Sequence, residues 1–401
     1  MRFAVLAFAA VYLAGLADAQ KQSLPQCSLE CLNDLLPKSA CAPTNQTCIC
    51  TDADFQEQLE TCVSENCTIK ESLTTLNVTN TGCGAPIRDQ TSPSIIIPAV
   101  GLGVLLFVGL RIYTRVVVTE ANLGLDDWAT ILLGCCIVPV NVGSILLGKA
   151  GLGKDIWTLE FGSITRILYL YYIQELLYIF CVSLTKICFL LFYLRIFPSA
   201  QTRKVITISG IITICYCIAF MIALAFQCFP ISYNWNAWDG EHTGKCVKKN
   251  TLVIAAAGLN IVLDAWVIAL PIPRILNLQA SISTKLQVVI MFSVGFLITG
   301  VSIYRTIMLK IFATSTNATW DTAAGGYWSI IEVDVGVFCL CMPAIRSLLG
   351  RMIPSVFGST KDTNEGNSAS QQKPLKVVKT TSLTQLIEMD NMGVERRQDN
   401  T

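Results

Sequence analysis

The chain has 401 residues, 53% of them hydrophobic and only 14% charged, with a mean hydropathy of +0.55. Soluble domains carry about 25% charged residues, so this composition excludes an ordinary soluble protein and points to a polytopic membrane protein. The net charge of +1 gives no basic footprint for nucleic acid, and a single histidine, His242, argues against a histidine-built metal or catalytic centre.

Residues 1–19 read as a secretory signal. Arg2 supplies the positive end, Phe3 to Leu16 the apolar stretch, and Ala17-Asp18-Ala19 the small-x-small cleavage pattern. Cleavage there puts the mature N-terminus outside the cell.

Residues 20–90 form a small acidic head, joined by a linker at 91–94 to an apolar block. Eight of the eighteen cysteines fall in the head: Cys27, Cys31, Cys41, Cys48, Cys50, Cys62, Cys67 and Cys83. A head this short cannot bury a large core, so disulfide staples in an oxidising compartment are expected. Spacing alone does not choose among the possible pairings. A zinc site is disfavoured, because the head has no histidine and no paired C-x2-C.

The Pro-x-Cys opening at Pro25, the Cys48-x-Cys50 centre and the overall spacing to Cys83 resemble the CFEM domain of fungal extracellular proteins. The resemblance implies a helical domain with four disulfides. Some members hold haem through an Asp between the third and fourth cysteines; Asn45 stands there in this chain. It also opens a glycosylation sequon, as do Asn66, Asn77 and Asn317. No cofactor is expected, haem being the alternative.

Seven apolar spans make up the block after the head, at 95–118, 128–147, 167–192, 205–226, 252–270, 286–308 and 327–349, each long enough to cross a bilayer. An odd number puts the C-terminus inside. Lys and Arg near the predicted span ends barely decide the orientation, but all four sequons fall outside in this topology. Cys228 and Cys246 share the second outer loop, where a disulfide is expected. Residues 350–401 read as a disordered cytoplasmic tail, with Thr380, Thr381, Ser382 and Thr384 placed for phosphorylation.

The third span organises the rest, because it carries Glu175 and Lys186 within an apolar run. A charge in hydrocarbon is costly and faces protein or a water-filled cavity, so this helix belongs inside a bundle. Helix arithmetic puts Lys186 and Asp264 each about 9 Å from the inner face. They are expected to pair. Glu175, Arg305, Glu332 and Asp334 lie within about 12 Å of the outer face. Glu175, Arg305 and Glu332 are the candidate lining of a ligand pocket, the alternative being a structural pair of Arg305 with a carboxylate.

The membrane block holds Arg111-Ile-Tyr113-Thr-Arg115, Leu123-Gly-Leu-Asp126-Asp127-Trp128, Gly151-Leu-Gly153, Phe192-Tyr-Leu-Arg195-Ile-Phe-Pro198, Asn260-x3-Asp264, Leu270-Pro-Ile-Pro273 and Trp328-Ser-Ile-Ile-Glu332. In that order, behind that head, they resemble the fungal rhodopsin-like seven-helix family. The resemblance implies a G-protein-coupled receptor-like protein tied to surface sensing and host infection. No Asp-Arg-Tyr ends the third span and no Asn-Pro-x-x-Tyr the seventh. The seventh has no lysine for a retinal Schiff base.

The expectation is an all-α membrane protein: a seven-transmembrane helix bundle at 95–349 with a small disulfide-rich helical head. It sits in the plasma membrane as a receptor for an extracellular ligand, with a heterotrimeric G protein as candidate partner. The alternative is a haem- or iron-acquisition protein using the head. No hydrolase or metalloprotease motif or P-loop is present, so no enzyme is expected.

Overall fold

The computed structural model describes residues 24–41, 45–120, 122–197, 199–273, 295–308 and 317–352. The signal reading at 1–19, the start of the sixth span and the tail from 353 onward lie outside the described residues.

The head is four short helices, α1 (Gln26–Leu35), α2 (Gln46–Thr51), α3 (Ala53–Asn66) and α4 (Ile69–Gly82). Each of the last three starts on a side-chain cap. Cys48 N donates to Asn45 Oδ1 at 3.2 Å, and Phe55 N donates to Asp52 Oδ1 at 3.2 Å. Thr68 and Glu71 close a reciprocal box on α4. Those hydrogen bonds from Thr68 hold the Glu71 carboxyl below its ordinary pKa. The core is thin: Cys31, Phe55, Leu59 and Val63. Four disulfides staple it, pairing Cys27 with Cys67, Cys31 with Cys62, Cys41 with Cys48 and Cys50 with Cys83.

Among the described residues six helices are long and apolar enough to cross a membrane: α5 (Thr91–Val118), α6 (Leu125–Ala150), α7 (Phe161–Ile196), α8 (Ala200–Ala225), α9 (Lys249–Ala269) and α11 (Ala318–Met352). The shorter apolar α10 (Gly295–Met308) is the described part of the sixth predicted span. The bundle forms around α7, whose membrane window is 67% buried against 22% for α8. Leu133 and Ile137 of α6, Ile179 and Val182 of α7, Leu224 of α8 and Val333 and Val337 of α11 share one core. The expected interior position of the third span is therefore what the fold shows.

The linker expected at 91–94 is instead the first turn of α5. Thr91 N and Thr91 Oγ1 both donate to Asp89 Oδ1, at 2.8 and 2.6 Å, and Pro93 is tolerated there because first-turn N–H groups have no helical partner. Farther along, Leu102 and Gly103 interrupt the α-helix past Pro98, and Thr114–Val118 widens into a π turn.

The head sits against the loops at one end of the bundle. Lys70 of α4 reaches Glu241 at 2.7 Å and Asp239 at 3.6 Å in the loop between α8 and α9. That loop is closed by the Cys228–Cys246 disulfide, which lies in a two-residue ribbon of β1 (Cys228–Phe229) against β2 (Lys245–Cys246). A second junction is built on the buried Asp155, between α6 and α7. It takes Arg88 Nη2 at 2.6 Å, Arg88 N at 2.9 Å and Asn317 Nδ2 at 2.7 Å. Arg88 also lies over the Trp320 ring at 4.8 Å. Gly153 at φ 100° is required here, since a Cβ would stand 2.7 Å from the Gln90 carbonyl carbon. The amide nitrogen of Asn317, which opens the fourth sequon, donates to Asp155 Oδ1 at this junction.

Candidate functional site

Tyr171, Gln174, Glu175 and Tyr178 stand at i, i+3, i+4 and i+7 along α7, so they share one face. They line a cavity that opens between α5, α6, α7, α8, α9, α10 and α11. Tyr216, Arg305 and Tyr327 join them, over an apolar floor of Val140, Leu224, Val253 and Ile330. The space open to the centre of a water-sized sphere is about 80 Å³. Two of the three expected pocket residues, Glu175 and Arg305, are in its wall.

Glu332 is not in that wall, because its carboxylate is engaged behind it. Oε2 accepts from Tyr178 Oη at 2.9 Å and lies 3.4 Å from Arg305 Nε. Oε1 accepts from Ser302 Oγ at 2.6 Å and from Asn260 Nδ2 at 3.0 Å. The Arg305 guanidinium lies 4.5 Å over the Tyr178 ring.

Lys186 and Asp264 meet, Nζ to Oδ1 at 2.8 Å, and Lys186 Nζ also donates to Asn260 Oδ1 at 2.7 Å. Asn260 Nδ2 donates to Asp264 Oδ2 at 3.2 Å. The two depths expected from helix arithmetic are thus one continuous network, bridged by Asn260 and spanning α7, α9, α10 and α11. Distance along each helix gives depth and not direction, which is why the bridge escaped it. The Asn260-x3-Asp264 spacing, i to i+4 on one face, was the available signal.

Asp334, two residues beyond Glu332, faces elsewhere. Its Oδ1 accepts from Asn141 Nδ2 of α6 at 3.2 Å, and a Cβ added to Gly101 would collide with its Oδ2.

A third group lies at the end of the bundle away from the head. Arg111 of α5 is 1% exposed. Its Nη2 pairs with Asp126 at 2.7 Å and with Asp127 at 3.0 Å, and its Nη1 donates to the Leu340 carbonyl of α11. Arg195, at the end of α7, reaches Asp126 at 3.1 Å and Asp127 at 3.2 Å. Asp127 also accepts from Gly124 N at 3.2 Å at the start of α6, where a carboxylate suits the helix dipole. Arg111, Asp126, Asp127 and Arg195 all stand in the sequence motifs, where Arg111 and Arg195 count only as span-end charges bearing on orientation.

In the head, Asn45 is exposed and serves as a helix cap. Asn66 Nδ2 donates to the Cys62 carbonyl at 2.9 Å, and Asn77 Oδ1 accepts from Thr81 Oγ1 at 3.3 Å.

The fungal rhodopsin domain matches residues 110–351 and the CFEM domain residues 20–84. The chain is 27% identical over 214 residues to a SAT4 family membrane protein of Emericella nidulans, covering 52% of this chain and 53% of that protein. It is 26% identical over 289 residues to polyenoic acids biosynthesis gene cluster protein Ba17b of Metarhizium anisopliae, covering 67% and 78%. Against Receptor GIN3 of Arthrobotrys oligospora it is 23% identical over 290 residues, covering 70% of each. It therefore spans about half the length of the first of these relatives. No solved structure matches the chain.

Proposed function

Since this chain belongs to the fungal rhodopsin domain family, we propose that it is a G-protein-coupled receptor-like protein of the plasma membrane, not an enzyme. The head faces outward, the C-terminus faces the cytosol, and the ligand is an extracellular or surface cue of the kind met in host infection. One relative is named a receptor, which supports this reading.

The observation that carries it is Arg305. It lines the cavity and is held by Glu332, the carboxylate that also anchors Tyr178, Ser302 and Asn260. A molecule entering the cavity touches a side chain whose partner ties four helices together. Such a network is a physical route from a filled cavity to a changed helix arrangement. The Arg111 group at the far end joins α5, α6, α7 and α11, where a cytosolic heterotrimeric G protein would dock.

The test is nucleotide exchange on a heterotrimeric G protein by the full chain in nanodiscs, beside protease mapping of the head on intact cells. Exchange that is lost in Glu175→Ala at normal surface level supports the reading. A head cut only from the cytosolic side, or no exchange under any condition, overturns it. Haem acquisition is the weaker reading, because Asn45 offers iron a neutral amide whose oxygen already caps α2.

A further inference from the structure

We propose that the cavity takes a ligand bearing a protonated amine on a small apolar or aromatic body, with Glu175 as its counter-ion. This rests on reading the cavity as a ligand site and goes beyond it by naming the chemistry.

Among the described residues two charged side chains stand in the cavity wall, Glu175 and Arg305. Arg305 has a counter-charge, since Glu332 lies 3.4 Å from its Nε, and the Tyr178 ring lies 4.5 Å from its guanidinium carbon, although that Nε makes no hydrogen bond among the described residues. Lys186 is matched by Asp264 behind the wall. Glu175 is not matched. Among the described residues its one hydrogen bond comes from Gln227 Nε2, at 3.4 Å. Lys249 turns its ammonium to the Asn234 carbonyl at 3.4 Å and makes no ion pair with Glu175. Among the described residues the wall therefore carries a carboxylate with no ion pair, its nearest cation, Lys249, acting on it only at a distance.

A second acceptor stands beside it. Gln174 Nε2 is spent on the Val140 carbonyl at 2.7 Å, while its buried Oε1 has no donor among the described residues. Buried acceptors without donors are costly, and an ammonium with several N–H groups satisfies both kinds at once. Beyond them the surface is tyrosine rings and aliphatic side chains, suited to an aromatic or short alkyl body and to a cation near ring faces. An anionic ligand meets the reverse: Arg305 already faces the Glu332 carboxylate, and Glu175 repels it.

The experiment uses the purified full chain in nanodiscs of neutral lipid and three matched probes: 2-phenylethylamine, 2-phenylethanol and 3-phenylpropionate. The amine is expected to raise the melting temperature saturably, and the alcohol and the acid are not. Glu175→Gln should weaken amine binding by ~10–100-fold, the range of a charge-assisted hydrogen bond, and Glu175→Asp should restore part of it. Equal stabilisation by amine and alcohol, amine binding unchanged in Glu175→Gln, or no amine effect on the unaltered protein overturns the proposal. The three-probe comparison needs no variant to fold. Amine binding without any G-protein response sinks the receptor reading alone. G-protein exchange driven by another ligand, with no amine effect, sinks this proposal alone.

Discussion

The head and the bundle are both helical, yet they are held by different forces. The head is locked covalently by four disulfides around a four-residue core. The bundle has none between its spans, and its eight cysteines are free. Water explains the first, since a domain of this size buries too little apolar surface to hold itself together. The bilayer explains the second. Lipid tails are as apolar as leucine, so helix association rests on close packing and on polar contacts such as those of Arg111, Lys186 and Glu332. The lesson is that the head keeps one shape, while the bundle can exchange one set of partners for another without breaking a covalent bond.

The largest expected effect breaks the covalent half of this comparison. Replacing Cys31 and Cys62 with serine should cost the head about 2–5 kcal/mol, enough to unfold it, and leave the bundle intact. Limited proteolysis would show the head digested while the spans stay protected; a resistant head would count against the staples. Next, Arg111→Leu removes the fully buried partner of two buried aspartates, leaving them the partly exposed Arg195, and should cost about 3–5 kcal/mol, read as thermal inactivation in detergent. Unchanged stability would remove the far-end group from the list of forces.

A smaller loss, about 3 kcal/mol, is expected for Lys186→Met, because Asp264 keeps Asn260. Exchanging Lys186 and Asp264 should recover surface expression above either single variant, and failure to do so argues against direct pairing. Gly101→Ala should cost about 1–3 kcal/mol by pressing a methyl group onto Asp334, measurable as a lower melting temperature.

The gentlest test is pH at the contact between Lys70 and the second loop. His242 holds the Asp239 carboxyl below its ordinary value, and Glu241 holds the Lys70 ammonium above its own. The Asp239 contribution is therefore present above about pH 3.9 and lost as pH falls through its lowered value. The Lys70 contribution is present below about pH 10.4 and lost as pH rises through its raised value. The protection factors of the α4 amides, intrinsic pH-dependent exchange rates divided by the observed ones, should be constant between these limits and fall outside them.

Much of this division was legible in the sequence. Cysteine density marked the head, and Glu175 and Lys186 inside an apolar run marked α7 as the central helix. What was not legible is direction around a helix axis. The two-residue offset of Glu332 and Asp334 tells that they point to different sides, but not which neighbours they meet: one turns to α9 and α10 and the other to α6. Arg111 and Asp126 sit at span ends, where hydropathy cannot tell a solvated charge from one closed over by α11. The start of α5 was missed for a related reason. A hydropathy window passes over polar capping residues, though Asp89, Thr91 and Pro93 are themselves helix-start signals.

Asp155 has a practical bearing on chimeras. Because one carboxylate clasps Arg88, ahead of α5, and Asn317, ahead of α11, the seam between the modules does not fall where the first span begins. A graft that exchanges ectodomains with a splice after residue 94 would discard Arg88 and leave Asp155 facing a foreign side chain. A splice just past Cys83 keeps the clasp with its own scaffold.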